Sequence, residues 1–318
     1  MPQMLGELTT AIGFSPAWQE VLAAAVRVAP TEATVLLQGE SGTGKEVIAR
    51  LIHQTSPRKH GPFVAVNCAA LPEQLLESEL FGYERGAFTG AQQSKAGLIE
   101  TAARGVLFLD EVTEMSPAAQ VKLLRFLQER EYQRLGGTRL QKADVRIIAA
   151  TNQDVDEAVE RGAFRPDLRY RLEVFDIVLP PLRQRIADIP LLAEHFLAEF
   201  ARTTGRPPAR LMDDAFSALV AHDWPGNVRE LRNVLERAAI LSDGDIDGRH
   251  VSFRTKGRVA PRADDVQAAE RITIERTLLE TRGNKSKAAR RLGLTRTQLY
   301  GRLRRCGLEG PPAGVALA

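Results

Sequence analysis

The sequence predicts an α/β fold built on a parallel sheet, followed by a small helical domain and a C-terminal all-α domain. Three observations predict it. Short apolar runs alternate with helical patterns up to residue 180, apolar residues then recur at helical spacing up to residue 250, and a basic helix–glycine–helix pattern stands near the C-terminus. A chain of 318 residues is long enough for two to three such units of roughly 100–150 residues each.

Four apolar runs are the candidate strands of the sheet. They are TVLLQ at 34–38, FVAVN at 63–67, VLFLD at 106–110 and VRIIAAT at 145–151. None alternates with period two, which predicts strands buried on both faces and a parallel sheet with helices on both sides. A fifth run at 174–179 ends at Pro180-Pro181, and a proline pair stops a strand.

The residues after the sheet predict a helical domain. Apolar residues fall at helical spacing in 189–201, 213–222 and 228–240, and Pro225-Gly226 interrupts the chain before the last of these. These patterns also predict the domain boundaries. They place the α/β subdomain at 1–180, the helical subdomain at 181–250, a polar linker at 251–263, the C-terminal helical domain at 264–310 and a tail at 311–318.

Composition limits the class of protein. With 44% hydrophobic, 26% charged and 6% aromatic residues, the chain can bury a core that is mainly aliphatic. Cys68 and Cys306 are its only cysteines, which predicts neither a disulfide framework nor a thiolate metal site and fits a reducing compartment. No run approaches the ~18–20 apolar residues of a membrane span. We therefore expect a cytoplasmic protein without a membrane partner.

A glycine-rich loop follows the first candidate strand directly. Its pattern, G-x-x-x-x-G-K between a strand and a helix, is that of a phosphate-binding loop, in which backbone N–H groups, a helix N-terminus and a lysine face phosphate oxygens. The residues predicted to bind are Gly39, Glu40, Ser41, Gly42, Thr43, Gly44 and Lys45. Glu46 stands where Ser or Thr commonly ligates Mg²⁺, so the metal ligand must come from elsewhere.

Two adjacent carboxylates, Asp110 and Glu111, end the VLFLD strand. Ligands bind at the carboxyl ends of strands in open α/β sheets, and neighbouring residues of a strand point in different directions. We therefore predict that Asp110 holds Mg²⁺ and that Glu111 orients the attacking water. A solvated strand end would also accommodate an acidic pair, but the phosphate loop upstream favours the functional interpretation.

Two asparagines end neighbouring strands. Asn152 would position the water or sense the γ-phosphate, and Asn67 would hydrogen-bond Glu111 and hold it back. Asparagine is equally common as a turn residue at strand ends, so composition alone leaves both interpretations open.

Five motifs together resemble those of the sigma-54-dependent activators, also called bacterial enhancer-binding proteins. They are GESGTGKE at 39–46, GAFTGA at 86–91, LFLDEV at 107–112, FRPDLRYRL at 164–172 and WPGNVREL at 224–231. The resemblance runs from Ile12 to about residue 308, and GAFTGA is its most specific motif. It implies a AAA+ ATPase fold and a ring, usually a hexamer, with ATP and Mg²⁺ bound between subunits.

The resemblance also implies roles for single residues. Glu46 agrees with the family's loop, and Ile12-Gly13 look like its adenine-side segment. Arg165 and Arg171 match the arginines that reach into the neighbouring subunit's site, where a guanidinium stabilises charge on the transferring phosphoryl group. Arg229 matches the sensor arginine of the helical lid.

The GAFTGA segment is identified with the loop that grips sigma-54 in this family. Its residues are Gly86, Ala87, Phe88, Thr89, Gly90 and Ala91, and the small ones permit movement. An exposed Phe88 on a mobile tip favours a partner, whereas the residues alone would equally allow a buried anchor of a turn. A second loop at 131–142, with Gly136-Gly137, would move with it.

The C-terminal domain resembles the Fis-type helix-turn-helix of these activators. Nine Arg or Lys and no acidic residue lie between Arg282 and Arg305, which fits DNA binding, although a basic solvated helix face has the same composition. A helix at 286–292 ends at Gly293, and Thr295 with Gln298 forms a capping box for a second helix. Leu299 and Leu303 face inward. The predicted DNA contacts are Lys285, Lys287, Arg296, Thr297, Tyr300, Arg302, Arg304 and Arg305.

These patterns and the resemblance predict an ATP-driven activator that binds enhancer DNA and remodels the closed promoter complex of sigma-54 RNA polymerase. The helix at 266–279 would pair DNA-binding domains into dimers. Two alternatives stay open: another AAA+ remodelling ATPase, or a DNA-binding regulator without ATPase activity. Because few residues precede Ile12, we expect control by a separate regulatory protein or by a domain of a longer chain.

Overall fold

The structure is a computed structural model that describes residues 11–253, 277, 281, 285–291, 299 and 303. The chain divides into two compact units, Met1–Ser252 and Phe253–Ala318.

The first unit is built on a five-stranded parallel sheet. The sheet order is β2-β3-β6-β1-β7 and every neighbouring pair is parallel. The strands are β1 (Val35–Gln38), β2 (Phe63–Asn67), β3 (Val106–Asp110), β6 (Arg146–Thr151) and β7 (Phe175–Val178). The predicted parallel sheet is confirmed.

Helices cover both faces of this sheet. They are α1 (Pro16–Val28), α2 (Lys45–Thr55), α3 (Glu73–Phe81), α4 (Leu98–Thr101), α5 (Pro117–Glu129), α6 (Val155–Glu160) and α7 (Pro166–Leu172). Alternate residues of each inner strand enter opposite cores. Leu36 and Leu107 pack on one side with α3 and α5, while Val35 and Phe108 pack on the other side with α1 and α2.

Burial of the strands differs between the centre and the edges of the sheet. The inner strands β1, β3 and β6 are buried almost throughout, as predicted. The expectation that FVAVN is buried on both faces is wrong, because β2 is an edge strand in which only Val66 is buried. The other edge strand, β7, exposes Asp176 and Val178 in alternation with the buried Ile177.

The segment at 131–142 is a hairpin rather than an irregular loop. Its strands are β4 (Glu131–Gln133) and β5 (Leu140–Lys142), which pair antiparallel. The three-residue strands are too short to show an alternation that sequence analysis detects.

Three helices follow the sheet, as predicted. They are α8 (Ile189–Thr204), α9 (Asp213–Ala221) and α10 (Asn227–Leu241). A two-residue parallel pair, β8 (Arg210–Leu211) with β9 (Asp245–Ile246), was not predicted. Two 3-10 turns, Leu182–Gln184 and Ile186–Asp188, connect the sheet to α8.

In the described part of the second unit, helix α11 (Lys285–Arg291) lies where the sequence predicts the first helix of the helix-turn-helix. Ala288 and Ala289 are buried on it, and Leu299 and Leu303 are helical and buried, as predicted. Other predictions lie outside the described residues. They concern the linker, the helix at 266–279, Gly293, the capping box, and the DNA contacts Arg296, Thr297, Tyr300, Arg302, Arg304 and Arg305. Among the described helices, none is both long and apolar enough to cross a membrane.

Candidate active site

The glycine-rich loop connects the end of β1 to the start of α2, as predicted. Gly39 N–H donates to the carbonyl of Thr151 at the end of β6, at 3.2 Å. The Thr43 hydroxyl donates to the Glu40 carbonyl at 2.8 Å, and α2 begins at Lys45. The loop is therefore anchored on the sheet at one end, and the helix N-terminus that attracts anions stands at the other.

Lys45 is buried in this loop, with 7% of its side chain exposed. Its ammonium donates to the carbonyl of Gly39 at 2.8 Å and lies 3.8 Å from the Glu111 carboxylate. Burial lowers the pKa of Lys45, while Glu111 and Asp110 oppose that shift. A partly desolvated cation facing two carboxylates at a loop of N–H groups is suited to phosphate.

Asp110 and Glu111 stand at the end of β3, beside Lys45. Burial raises the pKa of Asp110, and the Lys45 ammonium opposes the rise. Glu111 has a φ of 53°, which turns its side chain away from the direction of Asp110. It accepts the backbone N–H of Asn152 at 2.9 Å. The two carboxylates are thus brought together and point to different neighbours, as predicted.

The contact predicted between Asn67 and Glu111 is wrong in this structure. The Asn67 amide donates instead to Asp110 Oδ2, at 3.3 Å. The register of the sheet is the reason, because β2 pairs with β3 so that Asn67 lies opposite Asp110.

The structure also shows a polar contact at the site, between Thr151 and Thr113, that the sequence does not predict. Thr151 is buried and its hydroxyl shares a 2.8 Å hydrogen bond with the Thr113 hydroxyl, which fixes the carbonyl that holds Gly39. The side chain of Asn152 is exposed, so only its backbone reaches Glu111. Thr151 directly follows the apolar run 147–150 of β6, and Thr113 follows the acidic pair, so both lie next to motifs that the sequence shows.

A cavity of about 240 Å³ adjoins the loop. Its lining includes the loop residues Thr43 and Gly44, the N-terminal Ile12, and Trp18 and Val228. Ile12 is therefore placed beside the loop, as predicted for the base side of a nucleotide. Gly13 is not among the lining residues; an added Cβ there would lie 2.4 Å from the Trp18 ring, so this glycine lets the segment pass close to α1.

Residues of the helical domain contact the loop. Arg229 donates to the Ser41 hydroxyl at 3.0 Å, as expected of a lid arginine near phosphates. Asn227 and Arg183 also contact the loop at Glu40, which sequence analysis missed. Glu46 pairs with Arg50 one turn along α2.

Arg165 and Arg171 lie at the start and near the end of α7, and both are exposed. Arg165 pairs with Asp167 at 2.7 Å, and Arg171 forms no ion pair with any residue in the part of the chain that the structure describes. Within that part, neither arginine contacts Lys45, Asp110 or Glu111 of its own chain.

The side chains at the carboxyl end of the parallel sheet are suited to bind a nucleotide together with Mg²⁺. Among the described residues, no cluster of three or more His, Cys, Asp or Glu side chains is arranged to hold a metal. Mg²⁺ commonly takes one or two carboxylates together with substrate phosphates, which is what Asp110 beside Lys45 provides.

The GAFTGA segment forms the tip of an exposed loop. Gly86 N–H donates to the Ala91 carbonyl at 2.9 Å, which closes the tip. Phe88 is 46% exposed, and its ring meets Tyr83 edge-on at 4.9 Å. Thr89 and Gly90 are exposed and Ala87 is half-buried. Phe88 is thus neither a buried anchor nor a free side chain.

The hairpin β4–β5 touches this loop. Tyr83 forms a bridge with Leu135, and Arg134 pairs with Glu84 at 3.1 Å. These contacts join the two loops, and their joint movement stays a prediction.

Of the predicted DNA contacts, Lys285 is half-buried and Lys287 exposed on α11.

Three families match the chain in succession. Residues 11–178 match the Sigma-54 interaction domain, residues 183–265 the AAA+ ATPase lid domain, and residues 266–305 the Fis family of bacterial regulatory proteins.

Individual proteins match over most of the chain. The Nif-specific regulatory protein of Herbaspirillum seropedicae is 56% identical over 240 residues, which are 76% of this chain and 44% of that protein. The transcriptional regulatory protein ZraR of Escherichia coli K12 is 48% identical over 300 residues, which are 92% of this chain and 68% of ZraR. The chain thus spans about two thirds or less of the length of these relatives.

The fold also matches solved structures. NtrX from Brucella abortus in complex with ADP superimposes with a TM-score of 0.73 at 36% identity, covering 95% of this chain and 70% of NtrX. The complex of NtrX with ATP gives a TM-score of 0.71 at 36% identity, covering 93% and 69%.

Proposed function

The chain belongs to the family of sigma-54-dependent transcriptional regulators, with a AAA+ P-loop fold, a helical lid and a Fis-type helix-turn-helix, and we propose that it hydrolyses ATP to activate sigma-54 RNA polymerase. In this proposal it binds enhancer DNA and converts the closed promoter complex to the open complex.

One observation carries the ATPase proposal. The buried Lys45 ammonium, the Asp110–Glu111 pair and the start of α2 meet at the carboxyl end of a parallel sheet. A purely structural ion pair would not need a lysine whose pKa burial lowers, next to an anion-attracting helix N-terminus. The NtrX structures in complex with ADP and with ATP support the same ligand.

The proposed roles follow from the geometry. Lys45 and the loop N–H groups bind the β- and γ-phosphates. Asp110 holds Mg²⁺, which when bound neutralises charge on the phosphate oxygens. Glu111, fixed by the Asn152 N–H at 2.9 Å, orients the attacking water. Asn67, which touches Asp110, would act on the metal side of the site rather than on Glu111.

The proposed site is shared between subunits. Arg165 and Arg171 are exposed and do not reach the site of their own chain in the described residues, which supports a role at the neighbour's nucleotide. A head-to-tail contact that closes gives a ring, which we propose to be a hexamer.

The other proposed partners, sigma-54 and enhancer DNA, are those expected of the family. We assign the exposed tip around Phe88 to sigma-54, and the basic C-terminal domain to enhancer DNA as paired modules. The predicted domain boundaries and control by a separate regulatory protein belong to the same proposal.

An in vitro open-complex assay tests the function. It uses purified sigma-54 holoenzyme, a supercoiled template with an upstream binding site for this protein, and ATP. We expect open complexes with the wild type and none with K45A. ATP turnover without open complexes would favour another AAA+ remodelling ATPase. DNA binding without turnover would favour a regulator that is not an ATPase.

A further inference from the structure

The lid contacts the phosphate loop through the turn at 226–228. Asn227, in the middle of this turn, is fully buried and has a φ of 52°. Its amide donates to Glu40 Oε2 and to the Ser41 carbonyl, each at 3.0 Å. Its side-chain oxygen Oδ1 accepts the backbone N–H of Leu182 at 2.8 Å. One side chain therefore joins the loop, the connection to the lid and the lid itself.

The backbone of the turn lies directly on the loop. Val228 N–H donates to the Gly42 carbonyl at 3.0 Å. A Cβ added to Gly42, which has a φ of 82°, would lie 2.4 Å from the Gly226 carbonyl oxygen. No side chain larger than hydrogen fits between the two segments, so a shift of the loop backbone must displace the turn.

A contact between Arg183 and Glu40 also joins the phosphate loop to the connection before the lid. Arg183, in the 3-10 turn before the lid, binds Glu40 with two hydrogen bonds of 2.5 and 2.9 Å. The hydrogen bonds from Arg183 and Asn227 hold the pKa of Glu40 below its usual range, so Glu40 is a carboxylate near neutral pH. Glu40 thus accepts donors from both the connection and the turn.

We propose that Asn227 is a positioning residue that couples phosphate occupancy of the loop to the position of the lid. The inference rests on the proposed ATPase function. Asn227 donates its two hydrogen bonds to Glu40 and Ser41. Both residues lie in the phosphate loop, before Lys45. Arg229 follows Asn227 by two residues on α10 and contacts Ser41. When phosphates bind the loop, the acceptors of Asn227 shift, and the start of α10 moves with Arg229.

N227D separates this role from that of a turn residue. Aspartate tolerates a positive φ and keeps the oxygen that accepts the Leu182 N–H. It removes both N–H donors and places a negative charge beside Glu40. A residue needed only for the turn would tolerate this exchange, whereas a coupling residue would not.

The readouts are the binding of ATPγS with Mg²⁺ and intrinsic fluorescence. ATPγS affinity is measured in the otherwise wild-type chain, because Trp18 lines the cavity beside the loop. The chain has two tryptophans, so fluorescence is measured in W18F chains once W18F alone is shown to bind ATPγS. The reporter is then the buried Trp224, whose carbonyl accepts the Asn227 N–H at 2.8 Å. We expect N227D to weaken ATPγS binding about tenfold and to abolish the nucleotide-dependent change in Trp224 fluorescence. Wild-type affinity together with an unchanged fluorescence response would overturn the proposal.

Two further variants complete the test. E40Q in the N227D chain provides an amide that donates to the new carboxylate, and we expect it to recover part of the lost affinity. R183A, which removes an exposed partner of Glu40, should also reduce the fluorescence response, so the proposal stays testable if N227D does not fold. R249A removes an exposed Arg–Asp pair elsewhere in the lid and should leave both readouts unchanged.

The outcomes distinguish the two proposals. If the wild-type chain binds no ATPγS, the proposed ATPase function fails and the coupling fails with it. If that chain binds and responds while N227D and R183A behave identically to it, only the coupling is overturned.

Discussion

Glu111 is the residue whose replacement best separates binding from hydrolysis. Glutamine keeps its shape and still accepts the Asn152 N–H, but it does not take up a proton or orient water as a carboxylate does. We expect E111Q to lower ATP turnover by about 100-fold or more while ATP affinity changes less than about threefold. Steady-state phosphate release and equilibrium ATP binding measure the two effects.

E129Q is the matched control for this substitution, because Glu129 is exposed at the end of α5. Its turnover should equal that of the wild type. Loss of ATP affinity in E111Q would instead assign Glu111 to ground-state binding.

The reactivity of the buried Cys68 thiol gives a prediction that depends on pH. Burial raises the pKa of the Cys68 thiol to about 12. Only about one molecule in ten thousand would carry the reactive thiolate at pH 8. In a C306S chain, where Cys68 is the only thiol, we expect Ellman's reagent to react very slowly with the native protein and fully in guanidinium. Between pH 8 and 10 the native rate should rise with pH without reaching a plateau.

A plateau near pH 9, or rapid stoichiometric reaction at pH 8, would contradict the burial of Cys68. The same reagent applied to C68S, which keeps Cys306, gives the reactivity of the other thiol for comparison.

The residues of the site were predictable where a local motif specifies them. The loop at 39–45 and the acidic pair each combine a strand end with a fixed spacing, so the sequence alone identifies them. Asn227 was not assigned to the loop because its contact with Glu40 spans 187 positions of sequence. The partner of Asn67 depends on strand register, which a single sequence does not specify.

At the scale of elements, Gly136 of the β4–β5 hairpin lies close to Ala87 of the GAFTGA loop, and we expect this contact to couple the two loops. Gly136 has a φ of 72°, and a Cβ there would lie 2.8 Å from the Cα and Cβ of Ala87. Gly162 has a φ of 71° and no atom within 4 Å of the same position. The two glycines therefore differ in contact but not in backbone conformation.

We expect G162A to cost about 1–2 kcal/mol of unfolding free energy, because only the left-handed conformation is strained. G136A should cost about 1 kcal/mol more, since it also displaces Ala87. Urea denaturation measures both. G136A should further weaken binding of sigma-54 in the presence of an ATP analogue, whereas G162A should not. Equal effects of the two substitutions would show that the loops are not coupled at this glycine.

In the GAFTGA loop, Phe88 is the side chain that we expect to contact sigma-54. F88A removes a ring that is nearly half exposed, so the unfolding free energy should change by less than about 1 kcal/mol. ATP turnover should stay within about twofold, while binding of sigma-54 with an ATP analogue should fall at least about tenfold. Native gel shift and phosphate release measure these effects.

V26A, which truncates an exposed side chain on α1, is the control and should bind sigma-54 normally. Normal sigma-54 binding by F88A would show that the Phe88 ring is not part of the interface.

The sequence predicts elements well where burial is complete and less well elsewhere. The inner strands and the lid helices carry long apolar patterns, and the structure contains all of them. The apolar run of the edge strand β2 predicts the burial of an inner strand, because sheet order is a tertiary property that the run does not contain. The short strands β4 and β5 are not predictable, since three residues carry no detectable period.

At the scale of the whole molecule, the proposed site requires two chains. Lys45 and Glu111 meet within one chain, whereas Arg171 is exposed on α7 and pairs with none of the described side chains. An arginine that acts in trans predicts that turnover per subunit rises with protein concentration. R171A should lower turnover at every concentration while ATP still binds, and R202A, an exposed arginine of α8, should not.

Mixing two inactive variants tests the shared site most directly. A K45A subunit cannot bind ATP but still carries Arg171, and an R171A subunit binds ATP but lacks the arginine. In a random one-to-one mixture, about a quarter of the head-to-tail interfaces would combine an intact loop with an intact arginine. We therefore expect the mixture to regain ATP turnover that neither variant shows alone. Because an arginine acting within its own chain gives no such recovery, a mixture as inactive as its components would exclude the shared site, even if each variant forms rings.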